Sequence, residues 1–287
     1  MSELASEQLS TGAGGWSELR FVRGASGVPL AVREAGDPAG PPVVLVHGWA
    51  ASSRAWQHQL TALTDCRVLA VDLRGHGESG AGPRDDYADP AVWAADVAAV
   101  LAYAGAPAVL VGWSYGGLVI TDYLRERGQD GVAGLLYVGA VTELGGHPGG
   151  AVGPAWDGLM RAVFAEDPAV AVPALTTMMS RMTAEPAAGE LVQRWLGDAL
   201  RVAPAVRLAL FRRDIASADV LAAVSVPTLV VHGELDGVIS PSAAEFVART
   251  VPGAELRWFP GVGHLPFAER PDEFTAALRA LVRTANG

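Results

Sequence analysis

Five consecutive residues, Gly112, Trp113, Ser114, Tyr115 and Gly116, interrupt an apolar run and set one hydroxyl between two glycines. Two readings compete for this G-x-S-x-G stretch. One is a strand-to-helix turn that contains a serine; the other is a nucleophile held on a strained turn. In the second, the turn lifts the hydroxyl out of the sheet, so the positions two before and two after it must be small. The helix that follows aims its positive end at the same spot and favours negative charge there. A serine hydroxyl is a weak nucleophile. It needs a base, and the base needs a third group to orient it.

The chain has six histidines. His58 lies in a helix-like stretch and His147 in a Gly-rich loop. His47 and His232 each precede a glycine at a strand end, where they support turns, and His76 in "RGHGES" reads as loop scaffold. His264 differs, because "GVGHLPF" is a Gly-rich loop directly after a strand, with Pro266 stiffening its exit. For the acid, "HGELDGVISP" offers Asp236 and Glu234, and Asp236 lies deeper in the loop, where a short carboxylate reaches an imidazole. Glu143 is a weaker substitute. The order Ser114, Asp236, His264 is the one this type of elbow requires. Acyl chemistry also needs two N–H donors for an oxyanion. Tyr115, just after the serine, supplies one, and Trp49 in "HGWAAS" supplies the other, since His47 and Gly48 let that loop approach closely.

These loops need a scaffold. "PPVVLVHG", "CRVLAVDL" and "APAVLVG" are nearly continuous apolar runs, as in strands buried on both faces of a parallel sheet. Helical stretches separate them at 53–64, 90–104 and 115–127, and this alternation indicates an α/β fold. The pattern continues with "GVAGLLYVGA" (131–140), "VPTLVVHG" (226–233), "AELRWFP" (254–260) and a closing helix at 271–285. "SELRFV" and "PLAVREAG" alternate and predict a hairpin-like pair ahead of these runs. In such a sheet, ligands bind beyond the carboxyl ends of the strands, where every candidate residue above falls.

Residues 145–213 break the pattern. They open with "GGHPGG", hold Met- and Ala-rich helix-like stretches, and are punctuated by Pro154, Pro168, Pro173, Pro186 and Pro204. The expected organisation is a loose tail at 1–15, a core formed by 16–144 and 214–287, and a helical cap at 145–213.

Composition narrows the function. Half of the 287 residues are hydrophobic, enough for a large core, and only 18% are charged. The formal net charge of −10 argues against nucleic acid and anionic membranes as partners. All 21 basic residues are arginine. Cys66 is the only cysteine, so it forms no internal disulfide and reads as a core residue. The polar, acidic start does not read as a secretory signal, and the most apolar region is broken by Asp96, Gly105 and Pro107. A cytoplasmic protein, monomer or homodimer, is the expectation.

Together these motifs resemble the α/β-hydrolase fold family. "HGW" is similar to its oxyanion loop, "DLRGHGES" to its loop after the fourth strand, and "GWSYGG" to its elbow. "GELDGVISP" is similar to its acid loop and "GVGHLPFAERP" to its histidine loop. The resemblance implies a mostly parallel eight-stranded sheet flanked by helices, with an inserted helical cap. It implies Ser114 as nucleophile, Asp236 as acid and His264 as base. Dehalogenases and epoxide hydrolases of the family carry aspartate where Ser114 stands, so those activities are set aside. Cofactor-free haloperoxidases and perhydrolases resemble "HGW" and "GWS", yet many carry proline where Ala50 and Ala51 follow here. C–C bond hydrolases share the triad.

The reaction expected is hydrolysis of an ester-like bond of a small hydrophobic molecule, with water as co-substrate and no metal or organic cofactor. Met178, Met182 and Trp156 are expected to roof the substrate site with Trp49 and Tyr115, because thioethers re-pack readily around apolar groups. The competing reading is that they only pack the cap on the core. The alternatives are C–C hydrolysis, perhydrolysis, and a ligand-binding receptor with vestigial turnover.

Overall fold

The computed structural model describes residues 17–287. The expected tail at 1–15 lies outside the described residues. Eight strands form one sheet: β1 (Glu18–Arg23), β2 (Pro29–Gly36), β3 (Pro42–Val46), β4 (Arg67–Val71), β5 (Ala108–Trp113), β6 (Val132–Val138), β7 (Thr228–Gly233) and β8 (Glu255–Phe259). Their spatial order is β1-β2-β4-β3-β5-β6-β7-β8. β1 pairs with β2, and β2 with β4, in antiparallel fashion; every other pairing is parallel. The apolar runs explain the difference. All residues of β3, β5 and β7 are buried, as a strand covered on both faces requires, whereas β1 alternates and leaves Leu19 and Phe21 exposed.

Among the described residues, ten α-helices accompany the strands: α1 (Gln57–Ala62), α2 (Pro90–Ala104), α3 (Tyr115–Arg127), α4 (Pro168–Ser180), α5 (Gly189–Arg201), α6 (Pro204–Ala209), α7 (Ala218–Ala222), α8 (Pro241–Thr250), α9 (Pro266–Glu269) and α10 (Pro271–Ala285). α2 packs on α3, and α1, α9 and α10 pack together. Local signals set their ends. The Asp89 carboxylate caps α2 by accepting the Ala91 N–H, Pro90 occupies its first position, and Gly105 closes it at φ +74°. The stretch expected to be helical at 53–64 is a 3-10 turn (Ser53–Trp56) leading into α1.

Between β6 and β7 the chain makes three 3-10 turns and then α4, α5, α6 and α7. Pro168 and Pro204 begin α4 and α6, where the missing N–H costs nothing. Pro173 differs from its reading as punctuation, because it lies inside α4. No described helix is long and apolar enough to cross a membrane.

The parallel registers bring strand ends level. Val46 lies beside Gly112, Trp113 beside Val138, Val138 beside Val231, and Gly233 beside Phe259. The loops that follow β3, β5, β6, β7 and β8 therefore converge on one edge of the sheet.

Candidate active site

Ser114 sits between β5 and α3 at φ +53°, ψ −121°. A non-glycine residue in that region is strained, and the surroundings hold it there. Its N–H donates to the Val138 carbonyl (3.0 Å), and its own carbonyl accepts from Gly117 (2.9 Å) and Val141 (3.2 Å). The flanking glycines are steric requirements. A Cβ on Gly112 would lie 2.7 Å from the Gly116 carbonyl oxygen, and one on Gly116 would lie 2.4 Å from that of Val46. Ser114 itself is only 8% exposed.

Asp236 and His264 meet across the ends of β7 and β8. The His264 Nδ1–H donates to Asp236 Oδ2 at 2.8 Å. That bond fixes the tautomer and leaves Nε2 as a lone-pair base. The other carboxylate oxygen of Asp236 accepts the N–H groups of Val238 (2.8 Å) and Ile239 (3.0 Å), so its own loop aims the side chain. Burial would raise the Asp236 pKa, but the charge and hydrogen bond of His264 outweigh it and hold the carboxyl below its ordinary value. Gly139 joins this pair to the elbow. It follows Val138, which bonds Ser114, and a Cβ there would lie 3.1 Å from both Asp236 Oδ2 and His264 Nδ1. The Trp113 indole N–H donates to the His264 carbonyl (3.0 Å), and the His264 N–H donates to Met182 (2.7 Å).

The loop after β3 lies on the other side of Ser114. Its turn is closed by the Ala51 N–H on the Gly48 carbonyl, with Ala50 at φ +55°. A Cβ on Gly48 would lie 2.9 Å from Ser114 Cβ and 3.4 Å from its Oγ, so only glycine permits this approach. Among the described residues, no acceptor engages the Trp49 N–H. Tyr115 opens α3, where the backbone N–H has no intrahelical partner. Tyr115 thus adjoins the serine in sequence, and Gly48, the neighbour of Trp49, adjoins it in space.

The remaining histidines have other partners. His47 donates from Nδ1 to the Gly48 carbonyl (2.8 Å) and accepts the Leu73 N–H on Nε2 (3.0 Å); burial lowers its pKa, which suits that neutral form. His76 donates to the Arg74 carbonyl, and burial pushes its pKa down to about 3. His58 is exposed, and His147 faces Asp214 at 3.0 Å. Glu234 is exposed, whereas Glu143 is buried and accepts the N–H groups of Gly149 and Ser217. Cys66 is buried, which pushes its thiol up to about 11.

The apolar candidates divide. Met182 lines a small cavity beside Trp49 and Trp113, together with Met179; Met178 is buried and outside that lining. Trp156 packs at a tilt against Trp49 (5.5 Å) and edge-on against Phe211 (5.3 Å) and donates its N–H to the Val238 carbonyl. The Tyr115 hydroxyl accepts from Arg213 at 3.2 Å, and Arg213 also pairs with Asp122 at 2.7 Å. Burial pushes the Tyr115 hydroxyl up to about 12, against the opposing pull of Arg213.

Two supporting residues, Glu269 and Arg213, escape a reading by motif, and a third, His232, read as a turn support, also reaches the acid. Glu269 accepts the N–H groups of Gly263, Leu265 and Ala184, which ties the His264 loop to the segment before α5. His232 places Nε2 3.6 Å from Asp236 Oδ2. Arg213 reaches Tyr115 across 98 positions. Only Glu269 had a local signal, a carboxylate five residues past the histidine in a loop full of free amides.

Known proteins bear out the architecture. A non-heme haloperoxidase of Rhodococcus erythropolis is 30% identical over 93% of this chain and 100% of its own. A pimeloyl-[acyl-carrier protein] methyl ester esterase of Vibrio atlanticus is 30% identical over 83% of this chain and 93% of its own. The crystal structure of an esterase from Rhodococcus sp. ECU1013 superposes with a TM-score of 0.88, at 40% identity, over 92% of this chain and 98% of that one. The sequence model of the alpha/beta hydrolase family matches residues 43–277, and with the sheet order, the strained serine and the convergent loops described above this chain belongs to that family.

Proposed function

We propose that Ser114, Asp236 and His264 form the catalytic triad of a serine hydrolase that cleaves esters of small hydrophobic molecules through an acyl-enzyme. The chain is an α/β-hydrolase acting on ester bonds, in keeping with its esterase relatives. The observation that carries the triad is the His264 Nδ1–H bond to Asp236, packed against Gly139, whose neighbour Val138 bonds the strained Ser114. His264 Nε2 takes the Ser114 proton as Oγ attacks the carbonyl carbon. The backbone N–H groups of Trp49 and Tyr115 receive the oxyanion, each worth about 3–4 kcal/mol in related sites. His264 then protonates the leaving alcohol. Water, deprotonated by the same nitrogen, frees the acid and restores the serine. Asp236 stays ionised and holds the imidazole in place. Residues 145–213 act as a cap, with Met179, Met182 and Trp49 walling the acyl or alcohol group.

Hydrolysis of p-nitrophenyl esters from acetate to decanoate tests this, with wild type beside Ser114→Ala. The expected result is turnover by wild type and a fall of about 10⁴-fold or more in the variant. Equal inactivity of two folded proteins would remove the ester reading and bring C–C hydrolysis or ligand reception forward. The haloperoxidase relative favours a second reaction at the same site, in which hydrogen peroxide replaces water on the acyl-enzyme and yields a peracid. Peracid formation from acetate esters and peroxide checks it.

A further inference from the structure

The cavity walled by Trp49, Trp113, Met179 and Met182 measures about 20 Å³. That is room for about one water, far too little for an ester. A second, open groove of about 320 Å³ runs between α5 and the start of α1, bordered by Gln57, Leu191, Leu265 and Phe267. Three residues line both spaces: Ala55, Trp195 and Asp198. Trp195 and Asp198 lie one turn apart on α5, so they face the same side and form one wall of the neck between cavity and groove. Trp195 is half-buried, the state of a side chain with space on its outer side. Asp198 is buried, and its Oδ2 accepts the Ser52 hydroxyl at 2.8 Å.

Resting on the ester-hydrolase reading above, we infer that this groove is the outer half of the substrate site, that Trp195 is the residue that opens the neck, and that Asp198 sets the charge the neck accepts. The inner walls are almost wholly apolar, and the one charge at the neck is a carboxylate. An arm passing there must be uncharged or a hydrogen-bond donor, because two like charges in contact at a poorly solvated site repel strongly. The rim arginines act more weakly, because the Arg54 and Arg194 side chains reach water and each faces a carboxylate, Glu78 (3.5 Å, shared with Arg201 at 3.0 Å) and Glu190 (3.0 Å). The substrate class is a neutral ester with an elongated apolar arm whose far end emerges between α5 and α1.

The test compares p-nitrophenyl acetate, hexanoate and decanoate with mono-p-nitrophenyl adipate, which has the hexanoate length and a terminal carboxylate. Wild type is expected to prefer hexanoate over adipate. Asp198→Asn, which can keep a hydrogen bond to Ser52, is expected to raise the adipate-to-hexanoate ratio of kcat/KM about tenfold. Trp195→Ala is expected to raise the decanoate-to-acetate ratio about tenfold. Ser52→Ala removes the hydrogen bond and keeps the charge, so it should leave the adipate discrimination in place. The inference is overturned if Asp198→Asn leaves the ratio unmoved, if Ser52→Ala abolishes discrimination equally well, or if Trp195→Ala scales all chain lengths alike. Wild type that hydrolyses none of the four esters, or Ser114→Ala that hydrolyses them as well, would instead sink the triad reading.

Discussion

Glycines mark the contrast between the two halves of this site. In the core half they are points of close contact: a Cβ on Gly112, Gly116 or Gly233 would lie 2.7 Å or less from a backbone oxygen, and one on Gly48 would lie 2.9 Å from Ser114 Cβ. In the stretch proposed as the cap, the glycines next to the core are as tight, with a Cβ on Gly150 or Gly153 meeting a backbone oxygen at 2.3 Å, but from Gly158 onward Gly158, Gly189 and Gly197 have no such neighbour within 4 Å among the described residues. The reaction centre is therefore specified by main chains pressed together, and those distances leave no slack. The roof is specified by side-chain surfaces such as Met179, Met182 and Trp195, which can be exchanged without moving a backbone. That asymmetry suits an enzyme whose chemistry is fixed while its substrate range drifts.

The sharpest way to break the comparison is Gly116→Val. Its Cβ would meet two backbone oxygens, of Val46 at 2.4 Å and of His47 at 2.8 Å. Neither can yield without disturbing β3, so the expected loss is on the order of 5 kcal/mol, close to a domain's whole stability. Urea denaturation of whatever soluble protein is recovered checks this, and a folded, active variant would show that the elbow has room after all.

Arg213 comes next, because it is where the two halves join. It stands just past α6 and pairs with Asp122 on α3, both being buried. Arg213→Ala leaves that carboxylate alone in the interior, at a cost of about 3–5 kcal/mol. It also frees the Tyr115 ring, so kcat should fall more than KM rises. The double variant Arg213→Met with Asp122→Leu removes both charges and should recover much of the stability but not the ring contact. Equal losses in single and double variants would mean the pair matters only as packing.

A third effect is confined to the core half. His76 is buried with its pKa pushed down to about 3 from an ordinary 6.5. The unfolded chain takes up a proton below about pH 6.5 while the folded protein does not, so stability present above that value is lost as pH falls. By pH 5 the loss is about 2 kcal/mol for this residue. His47 and His232 shift in the same direction. The measurement is the change in Tm between pH 7 and pH 5, which His76→Gln should shrink by about 4–8 °C at 2–4 °C per kcal/mol. An unaltered slope would place the acid sensitivity elsewhere.

How much of this could be read from residues alone follows the same division. The buried strands were legible because parallel strands demand unbroken apolar runs, and β3, β4, β5 and β7 carry them. Ser114, Trp49, Asp236 and His264 stood out because a strained turn, a close-approaching loop and a loop carboxylate each leave a local signature. At α8 the local signal is ambiguous: Ser240 followed by Pro241 resembles a loop break, yet the Ser240 hydroxyl caps the helix and Pro241 fills its first position. What had no local signature was everything formed between distant segments. Arg213 meets Tyr115, and Asp198 meets Ser52, across separations of 98 and 146 residues. Sequence order says nothing of such pairs until the fold closes. The choice of Met179 over Met178 on the cavity wall was equally hidden, since it depends on which way α4 faces.

The smallest expected effect has the opposite sign and tests the roof directly. Gly197 lies inside α5 with open space around it. Glycine in a helix interior loses more backbone freedom on folding than alanine does. Gly197→Ala should therefore stabilise the protein by about 0.5–1 kcal/mol, or about 1–4 °C in Tm. The site lies beside Asp198, so the same variant also asks whether α5 must flex for substrate to pass. If the neck opens by rotation of the Trp195 side chain alone, a stiffer α5 leaves the decanoate-to-acetate ratio where it was. If α5 itself has to give way, long esters lose kcat/KM while acetate does not. A destabilised Gly197→Ala would deny the contrast altogether, because it would mean the helix is held against something as tightly as the elbow is held against β3.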